Sequence, residues 1–298
     1  MQGKPAAIVV GGFNLQRDDG MLSWRHRPGW NFHPVRSMHA LGVRVLVASD
    51  ARRAWSGLGC IQPSFLTVLQ EASTADVAGA CRTGVLALAQ EVSLSAGLER
   101  QFSSVQASYL PYSFSFSASV AGDAAMVNEF FRFIRRQRGG HGEVTVGDIL
   151  GGKSMSTMYD FFVQLRGKRP SEWVETAVMA SQHNIRDISP VIAEGMMLRD
   201  DRLCQAIGAF YAAFLGTAVR EVIRAEGLGR LVLQGSVVDS LPGFAQTLFS
   251  HEACQAALHA PHGIGTDLAE AARIEVAGKE AMLPVIGGLQ QALELAAQ

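Results

Sequence analysis

Along the chain, short apolar runs closed by glycine or aspartate alternate with longer stretches whose apolar residues recur every three to four positions. Ala6 to Val10 is apolar and stops at Gly11-Gly12, which reads as a strand and turn. Val43 to Val47 is largely β-branched and ends at Ala48-Ser49-Asp50. That pattern predicts a buried strand with a carboxylate at its C-terminal end, where chemistry collects in open α/β sheets. Ala87 to Gly97 fits a strand or a helix. Residues 102 to 119 are rich in Phe, Tyr and Ser and carry no charge, so they read as strands and loop in a sheet-rich region.

The later chain is mostly helical. Asp123 to Arg138 sets Met126, Phe130, Phe131 and Ile134 on one face. Arg135, Arg136 and Arg138 follow where cations suit a helix C-terminus, and Gly139-Gly140 stops the helix. Ser171 caps a helix running to about Gln182, and Asp187 or Ser189 opens another through Met197. The longest helix starts at Asp200-Asp201, carries Leu203, Ile207, Phe210, Phe214, Val222 and Ile223, and ends at Gly227. Leu231-Val232-Leu233 then predicts a buried strand entering the loop Gln234-Gly235-Ser236. Leu283 to Ile286 predicts a last strand, leading through Gly287-Gly288 to a terminal helix. This order means an α/β fold with a mixed sheet.

Composition narrows the class. The 298 residues suit one large domain or two lobes, and 48% apolar against 18% charged residues allows a large globular core. With a net charge of -1 and no basic stripe, the footprint of a nucleic-acid binder is missing. Met1 to Pro5 starts no secretory signal, and no apolar stretch approaches the ~20 residues of a membrane span. Cys60, Cys81, Cys204 and Cys254 show no C-x-x-C spacing. They read as free thiols in a reducing cytoplasm. His251, His259 and His262 lie near Cys254 in a spacing that fits no standard metal site, so no metal site is expected there.

Three stretches together resemble the bacterial glucokinase family, a sugar-kinase branch of the actin-like ATPase, ribonuclease H-like fold. Gly147-Asp148-Ile149-Leu150-Gly151-Gly152, then Met158-Tyr159-Asp160-Phe161-Phe162, is similar to the family's E-x-V-L-S-G-x-G-L-x-x-L-Y-R run. Asp200 to Gly227, then Leu231 to Val238, resembles the long helix and strand before its A-G-G-I nucleotide loop, and Pro242 to Phe249 and Ala281 to Val285 continue the match. Trp30, then Val45 to Asp50, resembles N-H-x-W followed by I-x-N-D-F. The resemblance runs over roughly residues 5 to 295 and rests on order and spacing. It implies a two-lobe α/β fold with an incomplete N-terminal lobe. Residues 1–120 would form the partial small lobe with the start of the large lobe, and 121–298 the large C-terminal lobe.

The resemblance also implies roles. Asp50 matches the base that accepts the sugar hydroxyl proton, and Ser49 stands where an asparagine holds the sugar. Read by itself, Asp50 is better taken as the cap of the helix that follows. Gln106-Ala107-Ser108-Tyr109 replaces the sugar-binding E-G-G-H, leaving Gln106 and Tyr109 as substrate candidates, and a further family glutamate falls at Gly147. Arg82, Thr83 and Gly84 stand in the second phosphate loop, with Gly151, Gly152 and Gly235 as the other nucleotide candidates.

The first phosphate loop, D-x-G-G-T-N, has two placements: Val9 to Asn14 imitates it, or Ala6 to Gly12 matches a later strand. The spacing from Ile8 to Trp30 to Asp50 favours the second. Both placements lose the metal-side carboxylate and the phosphate-side hydroxyl. The concerted losses imply an inactive homologue with a binding, regulatory or assembly role. The alternative is an active hexose kinase using MgATP and Asp50. The expected partners are a hexose and a second copy or other protein chain, with neither nucleic acid nor membrane.

Overall fold

The computed structural model describes residues 7–11, 15–16, 21–23, 31–73, 82–98, 101–105, 107, 124–140, 142–182, 187–260 and 268–297. In the small lobe, β1 (Ala7–Gly11) pairs in parallel with β5 (Arg44–Ala48), Gly11 opposite Ala48. Between them lie β2 (Leu15–Gln16), β3 (Leu22–Ser23) and β4 (Asn31–Phe32), a short antiparallel sheet, and helix α1 (Pro34–Leu41). A proline in its first turn and Gly42 in the left-handed conformation bound α1, as its backbone requires.

The large lobe is built on a six-stranded mixed sheet. It contains β6 (Leu66–Gln70), β7 (Arg82–Leu88), β8 (Val92–Leu98), β9 (Gln101–Val105), β10 (Leu228–Gln234) and β11 (Arg273–Ala277), in the order β6-β11-β10-β7-β8-β9. β11, β10 and β7 run parallel, and the other neighbours pair antiparallel. Strand side chains alternate between faces, and here each face has its own core. Leu86, Leu88, Leu231 and Leu233 join the large helical core. Val85, Ala87 and Val232 instead pack on Ala51 and Ala54 of α2 (Asp50–Gly57).

The helical side comprises α3 (Ala124–Gln137), α4 (Val146–Leu150), α5 (Ser154–Gln164), α6 (Glu172–Gln182), α7 (Ser189–Met197) and α8 (Arg202–Glu226). α9 (Phe244–Ser250), α10 (Glu252–Leu258) and α11 (Leu268–Ala271) complete it, while α12 (Leu283–Ala297) lies on the other face, with α2. α8 starts where Asp201 accepts the Leu203 and Cys204 amides and ends at left-handed Gly227. Phe130, Phe161, Phe210 and Phe214 meet at its centre, mostly edge-on or tilted, with Phe161 stacked on Phe210 and the Phe210 and Phe214 centroids 4.9 Å apart. By length and composition α8 passes for a membrane span, contrary to the sequence reading, but 78% of its apolar window is buried in the large lobe.

Two sequence expectations are corrected. Ala87 to Gly97 is neither a single strand nor a helix: β7 and β8 meet there in a hairpin around Ala89-Gln90-Glu91. Leu283 to Ile286 is the first turn of α12, and Gly287-Gly288 lies inside that helix. A short apolar run does not distinguish strand from helix, and here the glycine permits a helix crossing. A Cβ on Gly287 would overlap the Arg53 carbonyl of α2 and sit 2.7 Å from the Gly57 nitrogen. α12 thus closes on α2 through Leu283, Gly287 and Gln291. Its other side carries Val285, Leu289 and Leu293, each more than half exposed, as is Met282 just before the helix.

Candidate functional site

The site forms where the C-terminal ends of β7 and β10 meet loops from both lobes. Gly235 follows β10 with φ 119°, a conformation that favours glycine. A Cβ there would also collide with the Leu88 carbonyl, and that carbonyl accepts the Val237 N–H at 3.1 Å. On the other side of the hairpin, the Gly152 N–H donates to the Ala89 carbonyl at 2.7 Å. A Cβ on Gly152 would lie 3.2 Å from Gln90. Gly151 donates to the Gly147 carbonyl at 3.1 Å. Gly151, Gly152 and Gly235 are therefore brought together, on either side of the β7–β8 hairpin.

Arg82, Thr83 and Gly84 are not part of this group. Arg82 pairs with Leu228 and Gly84 with Leu231, at the start of the parallel strands. At ~3.3 Å per residue they stand about 17 to 23 Å from the hairpin. Arg82 forms a 3.0 Å ion pair with Glu226, and the Thr83 carbonyl accepts the Trp55 indole N–H. Gly84 leaves room for Leu228 and Leu231. The hairpin residues at the carboxyl end are instead Ala89, Gln90 and Glu91, which the sequence reading missed. Their only signal was a polar pair interrupting two alternating apolar runs.

Asp50 lies beside this hairpin. β5 ends at Ala48, Ser49 caps α2 by accepting the Arg52 N–H, and Asp50 is the first helical residue, so the capping role falls to Ser49. The Asp50 carboxylate is held by Arg53, one turn later. The Ala51 N–H donates to Ser93 Oγ at 3.1 Å, two residues beyond Glu91. Ser49 Oγ shares a 2.9 Å hydrogen bond with Ser104 Oγ, which also accepts from Ser95 Oγ at 2.9 Å. Ser93 and Ser95 point the same way on β8, and Ser104 pairs with Ser95 on β9. A serine seam thus joins the lobes next to Asp50. Ser93 and Ser95 at period two were its sequence signal, overlooked within the stretch read as a strand or a helix. Gln106 and Tyr109 lie outside the described residues, as do Trp30, Asn14 and His262.

Below Gly235 a pocket of about 410 Å³ is lined by Asp187, Gln234, Gly235, Ser236, Asp239, Ser240 and Lys279, among others. Burial pushes the Asp239 carboxyl above its ordinary range; Glu280 adds to this and Lys279 opposes it. The described residues contain no group of three or more His, Cys, Asp or Glu able to hold a metal. His251 caps α10, and burial pushes the Cys254 thiol up to about 12.

No family model matches the chain, and no curated protein matches it by sequence. Solved structures do. Glucokinase from Balamuthia mandrillaris in complex with glucose superposes with a TM-score of 0.70 at 13% identity, covering 98% of this chain and 78% of its own. The fold is that of the glucokinases. A ROK-family glucokinase from Streptomyces griseus in complex with glucose and AMPPNP gives a TM-score of 0.55 at 12% identity, over 91% and 74% of the two chains. A ROK-family transcriptional regulator, homologous to the E. coli MLC protein, gives 0.56 at 13% identity, over 97% and 63%. The glucokinase fold thus carries both sugar kinases and a regulator among these structures.

Proposed function

We propose that this chain is a catalytically inactive homologue on the glucokinase fold, with a binding, regulatory or assembly role in the cytoplasm. Residues 1–120 supply the partial small lobe and the start of the large one, and 121–298 the remainder. The observation that carries the reading is the use of the glycine amides. A phosphate cradle needs free backbone N–H donors. Here the Gly151, Gly152 and Val237 amides already donate to backbone carbonyls. The hairpin between them carries a carboxylate, Glu91, and the pocket below Gly235 is lined by Asp187 and Asp239 against a single Lys279. With those amides engaged, this lining offers the phosphate oxygens themselves few donors. A hexose remains a candidate ligand at the serine seam. The outer stripe of α12 supports assembly into a homodimer or with another chain.

One observation favours the second reading, an active hexose kinase. Asp50 sits at the lobe junction beside the hairpin, where a general base for a sugar hydroxyl would belong. Its pairing with Arg53 weighs against it, because the carboxylate must first release the guanidinium.

The test is a thermal-shift titration with MgATP, coupled to a phosphorylation assay across hexoses. A ligand at ~100 times its Kd adds about 2.7 kcal/mol, or roughly 5 °C for a chain this long. The expectation is no shift at millimolar MgATP and no hexose phosphate formed. Turnover that Asp50→Asn abolishes would establish the kinase.

A further inference from the structure

Away from the crevice, the first turns of α6 and α8 border, with the segment after α7, an open concavity of about 520 Å³. Its lining includes Arg169, Ser171, Trp173, Arg199, Asp200, Asp201 and Arg202. None of these residues lines the Gly235 pocket. The volume falls within the roughly 300 to 1,000 Å³ of small-molecule sites.

The charges are arranged unequally. Asp201 spends its carboxylate on the Leu203 and Cys204 amides, at 2.9 and 3.0 Å, and on the Ser171 hydroxyl. Asp200 accepts from the Gln205 side chain. Because Asp201 occupies the amides that open α8, the helix start itself offers a ligand little. The guanidinium groups are different. Arg199 is fixed, hydrogen-bonded to Glu194 at 2.8 Å with its guanidinium 4.1 Å from the centre of the Trp173 ring. The Arg169 and Arg202 guanidinium groups make no hydrogen bond or ion pair with any described residue. Two guanidinium groups without a partner among the described residues and a third paired with Glu194 therefore face one concavity, against two carboxylates already engaged. Planar five-donor guanidinium groups match phosphate oxygens in bidentate geometry.

We propose that this pocket binds a phosphate monoester, with Arg169 and Arg202 gripping the phosphate beside the Arg199–Trp173 wall. The site does not depend on whether the Gly235 crevice is active.

The test titrates the intact protein with inorganic phosphate and with phenyl phosphate at constant ionic strength, followed by calorimetry. Saturable one-site binding of phenyl phosphate, at least as tight as that of inorganic phosphate, is expected. Arg169→Ala combined with Arg202→Ala should weaken it tenfold or more at an unchanged melting temperature, since both side chains are exposed. Arg202→Lys should recover part of the affinity and lose the bidentate component. The proposal is overturned if neither ligand saturates up to tens of millimolar, if only inorganic phosphate binds, or if the double variant binds as the parent does.

Discussion

The crossing of α12 over α2 sets a sharp test, because two adjacent glycines should respond in opposite directions. On Gly287 an added methyl would overlap the Arg53 carbonyl and stand 2.7 Å from the Gly57 nitrogen, both backbone atoms that no rotamer change can move. On Gly288 the nearest atom is Arg53 Cδ at 3.5 Å, an ordinary contact. Alanine is favoured over glycine in a helix interior by about 1 kcal/mol. Gly288→Ala should therefore stabilise the protein by up to about 1 kcal/mol. Gly287→Ala receives the same gain but must push two helices apart.

Overpacking typically costs about 1 to 3 kcal/mol, and more where backbone blocks relaxation. Since Gly287 meets carbonyl and amide rather than side chains, a net loss near 3 kcal/mol is expected. For a chain of this length that is a fall of about 6 °C, against a rise of about 2 °C for Gly288→Ala. Thermal unfolding followed by circular dichroism measures both. If the two variants melt together, the backbone contact between α2 and α12 is wrong, and with it the support for the helix that carries Asp50 and Arg53.

Gly235→Ala should lose at least 1 to 3 kcal/mol from strain at φ 119° alone, in urea unfolding with an unchanged m-value. Asp201 and Asp239 should act oppositely with pH. Burial works to raise Asp201, but the Cys204 amide, the Ser171 hydroxyl and the Leu203 amide outweigh it and hold the carboxyl below its ordinary range. Its contribution is present above the unfolded value near 4 and is lost as pH falls through the lower folded value. Asp239 is raised, so its contribution is present below the unfolded value and lost as pH rises through the folded one. Melting curves from pH 2.5 to 8 should show Asp239→Asn gaining on the parent at neutral pH and Asp201→Asn falling behind; parallel curves would refute both assignments. Finally, Leu289→Glu on the exposed stripe of α12 should leave the melting temperature within about 1 °C. In sedimentation it should dissociate a homodimer if α12 forms the interface.

Local chemistry was legible in the sequence wherever the cause is local. The ends of α8, at Asp201 and Gly227, follow from side-chain capping and backbone handedness, which neighbouring residues settle. The strand before Asp50 follows from its β-branched run, and α3, α6 and α7 from their spacing and caps. The resemblance carried the two-lobe architecture through the order of such pieces. It failed where one motif had to be set in register. Thr83-Gly84 imitates a phosphate loop in composition, but it lies inside β7, and the parallel pairing with β10 sends it to the wrong end of the sheet. Leu283 to Ile286 suits a strand by propensity, yet the approach of α2 makes it a helix. Register, helix crossings and the partner of a charge depend on residues distant in the chain: Gly152 against Ala89, Gly287 against Arg53, Ser49 against Ser104. The sequence by itself determined the segments whose causes are local, and what chemistry they carry. Only the tertiary structure decided that the Gly152 amide is already occupied, because a hydrogen bond between residues 63 apart has no local signature.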